Sequence, residues 1–169
     1  MLPEMVPTFA PTETLPNAVL GWAERDPGRI FLIEVDGDSR TYGEFHHAAL
    51  RWADAYRRLG VEPGENVAAM TRTSIAACEH WLGLGWLRAV HTGVNTDFRN
   101  DSLVYVLDNC RARHMVCELE FVERVASVAS DLHHLETVVV PDAAPADLPT
   151  DFPVRILAAD QLWEEATIA

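Results

Sequence analysis

The 169-residue chain contains no lysine; all 13 basic residues are arginine. Within these residues a lysine that grips a phosphate or forms a Schiff base is therefore excluded. Glycine is also sparse: the nine glycines stand singly at turns, apart from Gly83-Leu84-Gly85. A phosphate-cradling loop needs several glycines close together so that backbone N–H groups can approach the anion, and no such run is present. Positive charge is in deficit, with a formal net charge of −13. That balance argues against nucleic acid and against anionic membrane surfaces, both of which call for a basic face. The three cysteines, Cys78, Cys110 and Cys117, form no C-x-x-C pair; read as free thiols, they suit a reducing cytoplasm. The longest helix-like apolar run, Trp81 to Val94, is interrupted by Arg88 and His91, so no membrane span is expected.

What is present is ordinary globular material, 49% apolar and 23% charged, with one domain as the default at this length. Residues 1 to 13 hold three prolines and no periodicity; they read as an extended or disordered arm, without the basic and apolar segments of a secretory signal. From Thr14, a possible N-cap, Leu15, Val19, Trp22 and Ala23 repeat at helical spacing until Asp26-Pro27-Gly28. Ile30 to Val35 reads as a strand, Asp36-Gly37 as a hairpin signal and Ser39 to Thr41 as the returning strand. Thr41 and Glu44 have capping-box spacing, and the helix after them gathers Phe45, Ala49, Trp52, Ala53 and Tyr56 on one face.

The stretch from Gly60 to Asn109 is the most informative. Val67 to Met70 is a short apolar run behind Pro63-Gly64, a buried-strand signature. Ser74 can cap a helix running to about Leu87, Ala89 to Val94 reads as a second buried strand, and Asn100 or Asp101 can cap a helix with Leu103, Val106, Leu107 and Cys110 as its apolar stripe. Beyond it, His114 to Cys117 and Thr137 to Val140 read as buried strands. Between them lies an amphipathic helix of Phe121, Val122, Val125, Val128, Ala129 and Leu132. Residues 141 to 153, with four prolines, read as a surface loop, Val154 to Leu157 as a short strand, and Asp160 as the start of a final helix with Leu162 and Trp163. Strands alternating with helices in this way imply an α/β fold: a mainly parallel sheet flanked by helices, preceded by a small helix and hairpin, over residues 14 to 169.

Few constellations carry chemistry. Gly83-x-Gly85-x-x-Arg88 imitates a dinucleotide fingerprint but lies inside a helical pattern and reads as close helix packing. His46-His47 and His133-His134 are adjacent pairs, which do not share a helix face; no zinc spacing and no Gly-x-Ser-x-Gly elbow is present. Glu118, Glu120, Glu164 and Glu165 read as solvated positions. The loop Asn95-Thr96-Asp97-Phe98-Arg99 is the best binding candidate, because open α/β sheets place ligands beyond the C-terminal ends of their strands. A flavodoxin-like domain would need a phosphate loop after the first core strand, and Met70-Thr71-Arg72-Thr73-Ser74 offers hydroxyls but no glycine.

The ordered set of these segments resembles the N-terminal region of the adenylate-forming enzymes, in particular their CoA-ligase branch. TLPNAVLGWAERDPGRIFLIE is similar to the family's opening helix and first strand, Thr41-Tyr42-Gly43-Glu44-Phe45 to its "T-Y-x-E-L", and Gly60-Val61-Glu62-Pro63-Gly64-Glu65-Asn66-Val67 to its "G-V-x-x-G-D-x-V". Asn95-Thr96 and Leu103-Val104-Tyr105-Val106-Leu107 resemble the following loop and helix. The resemblance implies that a complete enzyme uses ATP, magnesium and CoA. A carboxylate attacks the ATP α-phosphate to give an acyl-adenylate, and the CoA thiol displaces AMP. It also implies that Arg99 can match an arginine that approaches the CoA phosphates, and that no catalytic or metal residue lies in this chain. The family's Ser/Thr/Gly-rich ATP loop and its late catalytic lysine are not found here, so the chain is expected to be the first third of an enzyme, inactive alone and binding no cofactor by itself. The alternative is a short assembly protein that pairs with itself or with a full-length paralogue. Three departures from the family stand out: Arg88 replaces a usual glycine, Gly93 a common proline, and Arg72-Thr73 a common Pro-Asn.

Overall fold

The computed structural model of the chain describes residues 12–35 and 37–164. Most of the expected N-terminal arm, Asp36 of the hairpin signal and Glu165 lie outside them. Helix α1 (Leu15–Arg25) starts where expected: Thr14 Oγ1 accepts from the Asn17 N–H, and Pro16 lies in the first turn. Strands β1 (Ile30–Ile33) and β2 (Ser39–Thr41) form an antiparallel hairpin. β1 is two residues shorter than the expected Ile30 to Val35, because the turn already begins at Glu34, whose carbonyl accepts from Gly37 N–H at 3.0 Å. Gly37 takes φ 103°, a left-handed value that favours glycine. Helix α2 (Tyr42–Arg58) opens with the full Thr41–Glu44 capping box.

The core is a five-stranded sheet of β3 (Asn66–Met70), β4 (Val90–Gly93), β5 (His114–Cys117), β6 (Thr137–Val140) and β7 (Arg155–Ala158). All its neighbours run parallel, in the order β4-β3-β5-β6-β7. The crossovers are α3 (Ile75–Leu87), α4 (Asn100–Cys110) and α5 (Leu119–Ala126), and α6 (Ala159–Glu164) follows the last strand. Side chains alternate across the sheet with the period of a strand. Ala68, Met70, Met115, Cys117, Val138 and Val140 meet Leu103 and Leu107 of α4 and Phe121, Val122 and Val125 of α5. Val67, Val116 and Val139 face the other way, toward Trp52 and Tyr56 of α2, Leu84 of α3 and Leu162 of α6. A third cluster, Val19, Phe45, Ala49 and Leu82, ties α1, α2 and α3 together.

Gly83 and Gly85 serve helix packing, as their sequence context implies: a Cβ at Gly83 would lie 2.6 Å from Trp52 Cβ, and one at Gly85 3.1 Å from Pro16 Cγ. Four further expectations need correction. β4 is not buried; it is an edge strand with β3 on one side only, which leaves Val90 45% exposed. The amphipathic run 121 to 132 is not one helix, for α5 ends at Ala126 and a short 3-10 turn follows at Ala129–Asp131. The break coincides with the Ser127 hydroxyl donating to the Arg124 carbonyl, a local bond that competes with the helix ladder. Neither Asn100 nor Asp101 caps α4: Arg99 holds the N-cap position with no side-chain bond, and Asn100 takes φ 48° as the first helical residue. The last helix begins at Ala159, one residue early.

Candidate functional site

Counted in chain order, the five core strands lie in the order 2-1-3-4-5. The chain therefore turns to opposite sides after β3, and the crevice of an open sheet forms between the C-terminal ends of β3 and β5. Thr71 to Ser74 enter it from β3 and Glu118 from β5, with Asn95 to Arg99 beside them at the end of β4.

The Arg72 N–H donates to Glu118 Oε1 at 3.0 Å. Its guanidinium forks onto Glu120, through Nε to Oε1 and through Nη2 to Oε2 at 2.8 Å. A proline at position 72 would have no N–H to give, which accounts for the departure from Pro-Asn here. Glu118 and Glu120 are therefore not merely solvated positions: they are ordered by Arg72. Burial, set against the Arg72 N–H, raises the Glu118 carboxyl, whereas the Arg72 hydrogen bonds hold Glu120 below its usual range. Where a flavodoxin-like crevice would need glycine-borne N–H groups for a phosphate, this one presents Arg72, Glu118 and Glu120.

Two cations lie over the ring of Phe121, with Arg72 Cζ 5.8 Å and Arg124 Cζ 5.2 Å from its centroid. Arg124 Nη1 also donates to the Thr96 carbonyl, which fastens the 95–99 loop to α5. Asn95 Oδ1 accepts from Asp97 N–H at 2.9 Å and closes the turn. At the end of that loop Arg99 is exposed and lines a depression of about 300 Å³ with Asn100, Glu120, Glu123, Arg124 and Ser127. Arg99 makes no ion pair among the described residues.

A larger apolar hollow, about 540 Å³, opens between the hairpin and the start of α3, walled by Leu32, Ile33, Val35, Ile75 and Cys78. The Glu34 carboxylate at its edge accepts from Ile75 N–H, and Ser74 Oγ accepts from Ala77 N–H at 3.0 Å. The chain's own side chains thus fill the anion-attracting N-terminus of α3. Sequence reasoning missed Glu34, whose partner lies 41 positions away.

Tyr56, His80 and Cys117 lie buried within the packing. Tyr56 Oη and His80 Nδ1 lie 3.2 Å apart inside the α2–α3 packing, and the His80 ring centroid is 5.4 Å from that of His91. Burial, with the nearby His91, pushes His80 down to about 3. Burial, then Asp142 and Glu118, pushes the Cys117 thiol up to about 12, far from a reactive thiolate. His133 of the second histidine pair binds Asp108, with Nδ1 2.7 Å from Oδ2. Among the described residues no group of three or more His, Cys, Asp or Glu could hold a metal ion, and no helix is long and apolar enough to cross a membrane.

The family model of the AMP-binding enzymes matches residues 19–164. A 3-oxocholest-4-en-26-oate–CoA ligase of Rhodococcus rhodochrous is 32% identical over 114 residues, which cover 68% of this chain and 20% of that protein. An uncharacterized protein of Mycobacterium tuberculosis is 28% identical over 144 residues, covering 85% of this chain and 81% of that protein. Among solved structures, an anthranilate CoA ligase in complex with anthranoyl-AMP superposes with a TM-score of 0.70 at 26% identity, over 74% of this chain and 24% of that one. The chain thus spans about a fifth to a quarter of the length of these two ligases.

Proposed function

This chain belongs to the AMP-binding enzymes, and from that premise we propose that it is the N-terminal part of an AMP-forming acyl-CoA ligase. The carrying observation is the family match over residues 19–164, together with CoA ligases of which this chain spans a fifth to a quarter. The complete enzyme would join a carboxylic acid to CoA with cleavage of ATP to AMP in the cytoplasm. ATP with its magnesium ion, and CoA, are substrates of that whole enzyme. The sequence offers neither a glycine-rich phosphate loop nor a lysine, so no catalytic step is assigned to these residues.

Support and positioning are what these residues offer. The apolar hollow beside α3 suits one wall of an acyl pocket, since Leu32, Ile33, Val35 and Ile75 give it a hydrocarbon lining. Arg99 is the candidate contact to CoA phosphate, because a guanidinium fork matches phosphate oxygens. Glu120 and Glu123 in the same depression set a mixed field around it.

A second reading, a short non-catalytic protein that self-associates or pairs with a full-length paralogue, is favoured by one observation. The chain covers 81% of its Mycobacterium tuberculosis relative. The intact mass of the product in its source cells separates the two. A species much larger than 18.8 kDa that contains these residues supports the ligase; a stable product of 18.8 kDa supports the short protein.

A further inference from the structure

The open edge of β4 (Val90, His91, Thr92 and Gly93), though short, carries no proline, no charged residue and no bulge to discourage pairing. The opposite edge differs: β7 opens with Arg155, and Pro153 lies just ahead of it. The β4 backbone is set to receive a partner. Val90 N–H and Val94 N–H bond inward to Glu65 and Ala69 carbonyls, so by strand alternation the N–H and C=O groups of His91 and Gly93 point outward. Apolar surface accompanies them: Val90 is 45% exposed, and Trp81 of α3, which lines a shallow depression together with His91, is 48% exposed.

Charge completes the edge. Arg88 lies just before the strand and Asp97 just after it; both are exposed, and neither is in an ion pair among the described residues. An antiparallel copy of β4 with its two-fold axis at Thr92 brings residues equidistant from Thr92 face to face. His91 then exchanges both backbone bonds with Gly93 of the second copy. Arg88 falls opposite the Thr96–Asp97 turn, twice by symmetry. The two α3 helices lie on the same side of the joined sheet, with the Trp81 side chains at the junction.

We propose that the β4 edge is a self-association surface, on which a second copy of this chain pairs antiparallel through His91 and Gly93 and is held in register by two Arg88–Asp97 contacts. The proposal rests on the self-association reading above and gives it an address.

The test is sedimentation velocity of the 169-residue chain across the micromolar range, with Arg88→Asp, Asp97→Arg, their double variant, and Gly93→Pro. Circular dichroism confirms that each is folded. The charge positions are exposed, aspartate tolerates the left-handed backbone at position 88, and the Gly93 N–H bonds nothing within the sheet. The expected result is a wild-type dimer that each charge reversal weakens by at least about tenfold, that the double reversal restores, and that Gly93→Pro abolishes. A dimer indifferent to all four variants overturns the β4 edge and leaves self-association standing. A wild-type monomer at every concentration overturns both.

Discussion

Gly83 of α3 presses its backbone against Trp52 of α2, so closely that an added Cβ would lie 2.6 Å from Trp52 Cβ and 2.9 Å from the Ala49 carbonyl. Neither neighbour is the free end of a flexible side chain, so the helices would have to part. Gly83→Ala should gain about 1 kcal/mol of helix propensity and lose more through overpacking, typically about 1–3 kcal/mol and here toward the upper end. Thermal unfolding should show a melting temperature several degrees lower. An unchanged or raised value would mean that the two helices are not in this contact.

Burial of His80 couples stability to pH. In the unfolded chain this histidine titrates near 6.5, whereas in the fold it is held at about 3. Below pH 6.5 the unfolded chain takes up a proton that the fold refuses. The His80 contribution is thus complete above pH 6.5 and declines as pH falls toward about 3, by roughly 1.4 kcal/mol per pH unit. His46, His91 and His114 are lowered by burial and act in the same direction. Urea unfolding at pH 7 and about pH 5.5 should show this loss above the ordinary carboxylate range. In the double variant Tyr56→Phe/His80→Leu, which removes both members of the buried hydrogen bond, the slope should fall by about one proton.

Arg111 ends α4 with φ 53°, a left-handed conformation costly to any residue with a Cβ. Arg111→Gly should therefore raise stability by about 0.5–1 kcal/mol in chemical unfolding. A loss of stability would show that the arginine side chain contributes more than its backbone strain costs.

Arg99→Ala, made in a complete enzyme that contains these residues, should raise the KM for CoA about tenfold and leave that for ATP unchanged. An unchanged KM for CoA would remove Arg99 from the CoA site.

Much of this architecture was legible because local signals agreed with one another. Thr14 and Thr41 each precede an apolar stripe and Ser74 a largely apolar run, and each caps its helix. Val67 to Met70, His114 to Cys117 and Thr137 to Val140 are short apolar runs bounded by turns and are the three inner strands. The exposure of β4 was hidden because an apolar run of four to six residues does not reveal how many neighbours it has. Arg88 shows a departure explained only in three dimensions: its φ of 58° is a left-handed helix end, the place where a glycine is favoured. The site was less legible than the fold. Arg72 meets Glu118 and Glu120 across 46 and 48 positions, and Glu34 meets Ile75 across 41. No periodicity joins such pairs, because the topology of the sheet brings them together.

On the proposed reading, these residues support an adenylating enzyme without containing its chemistry. The most direct test of that reading is ATP–pyrophosphate exchange by the purified chain, with magnesium and a broad panel of carboxylic acids. No exchange above that of a protein-free control is expected. Acid-dependent exchange that follows the chain through purification would contradict the reading and place an adenylation site within these 169 residues.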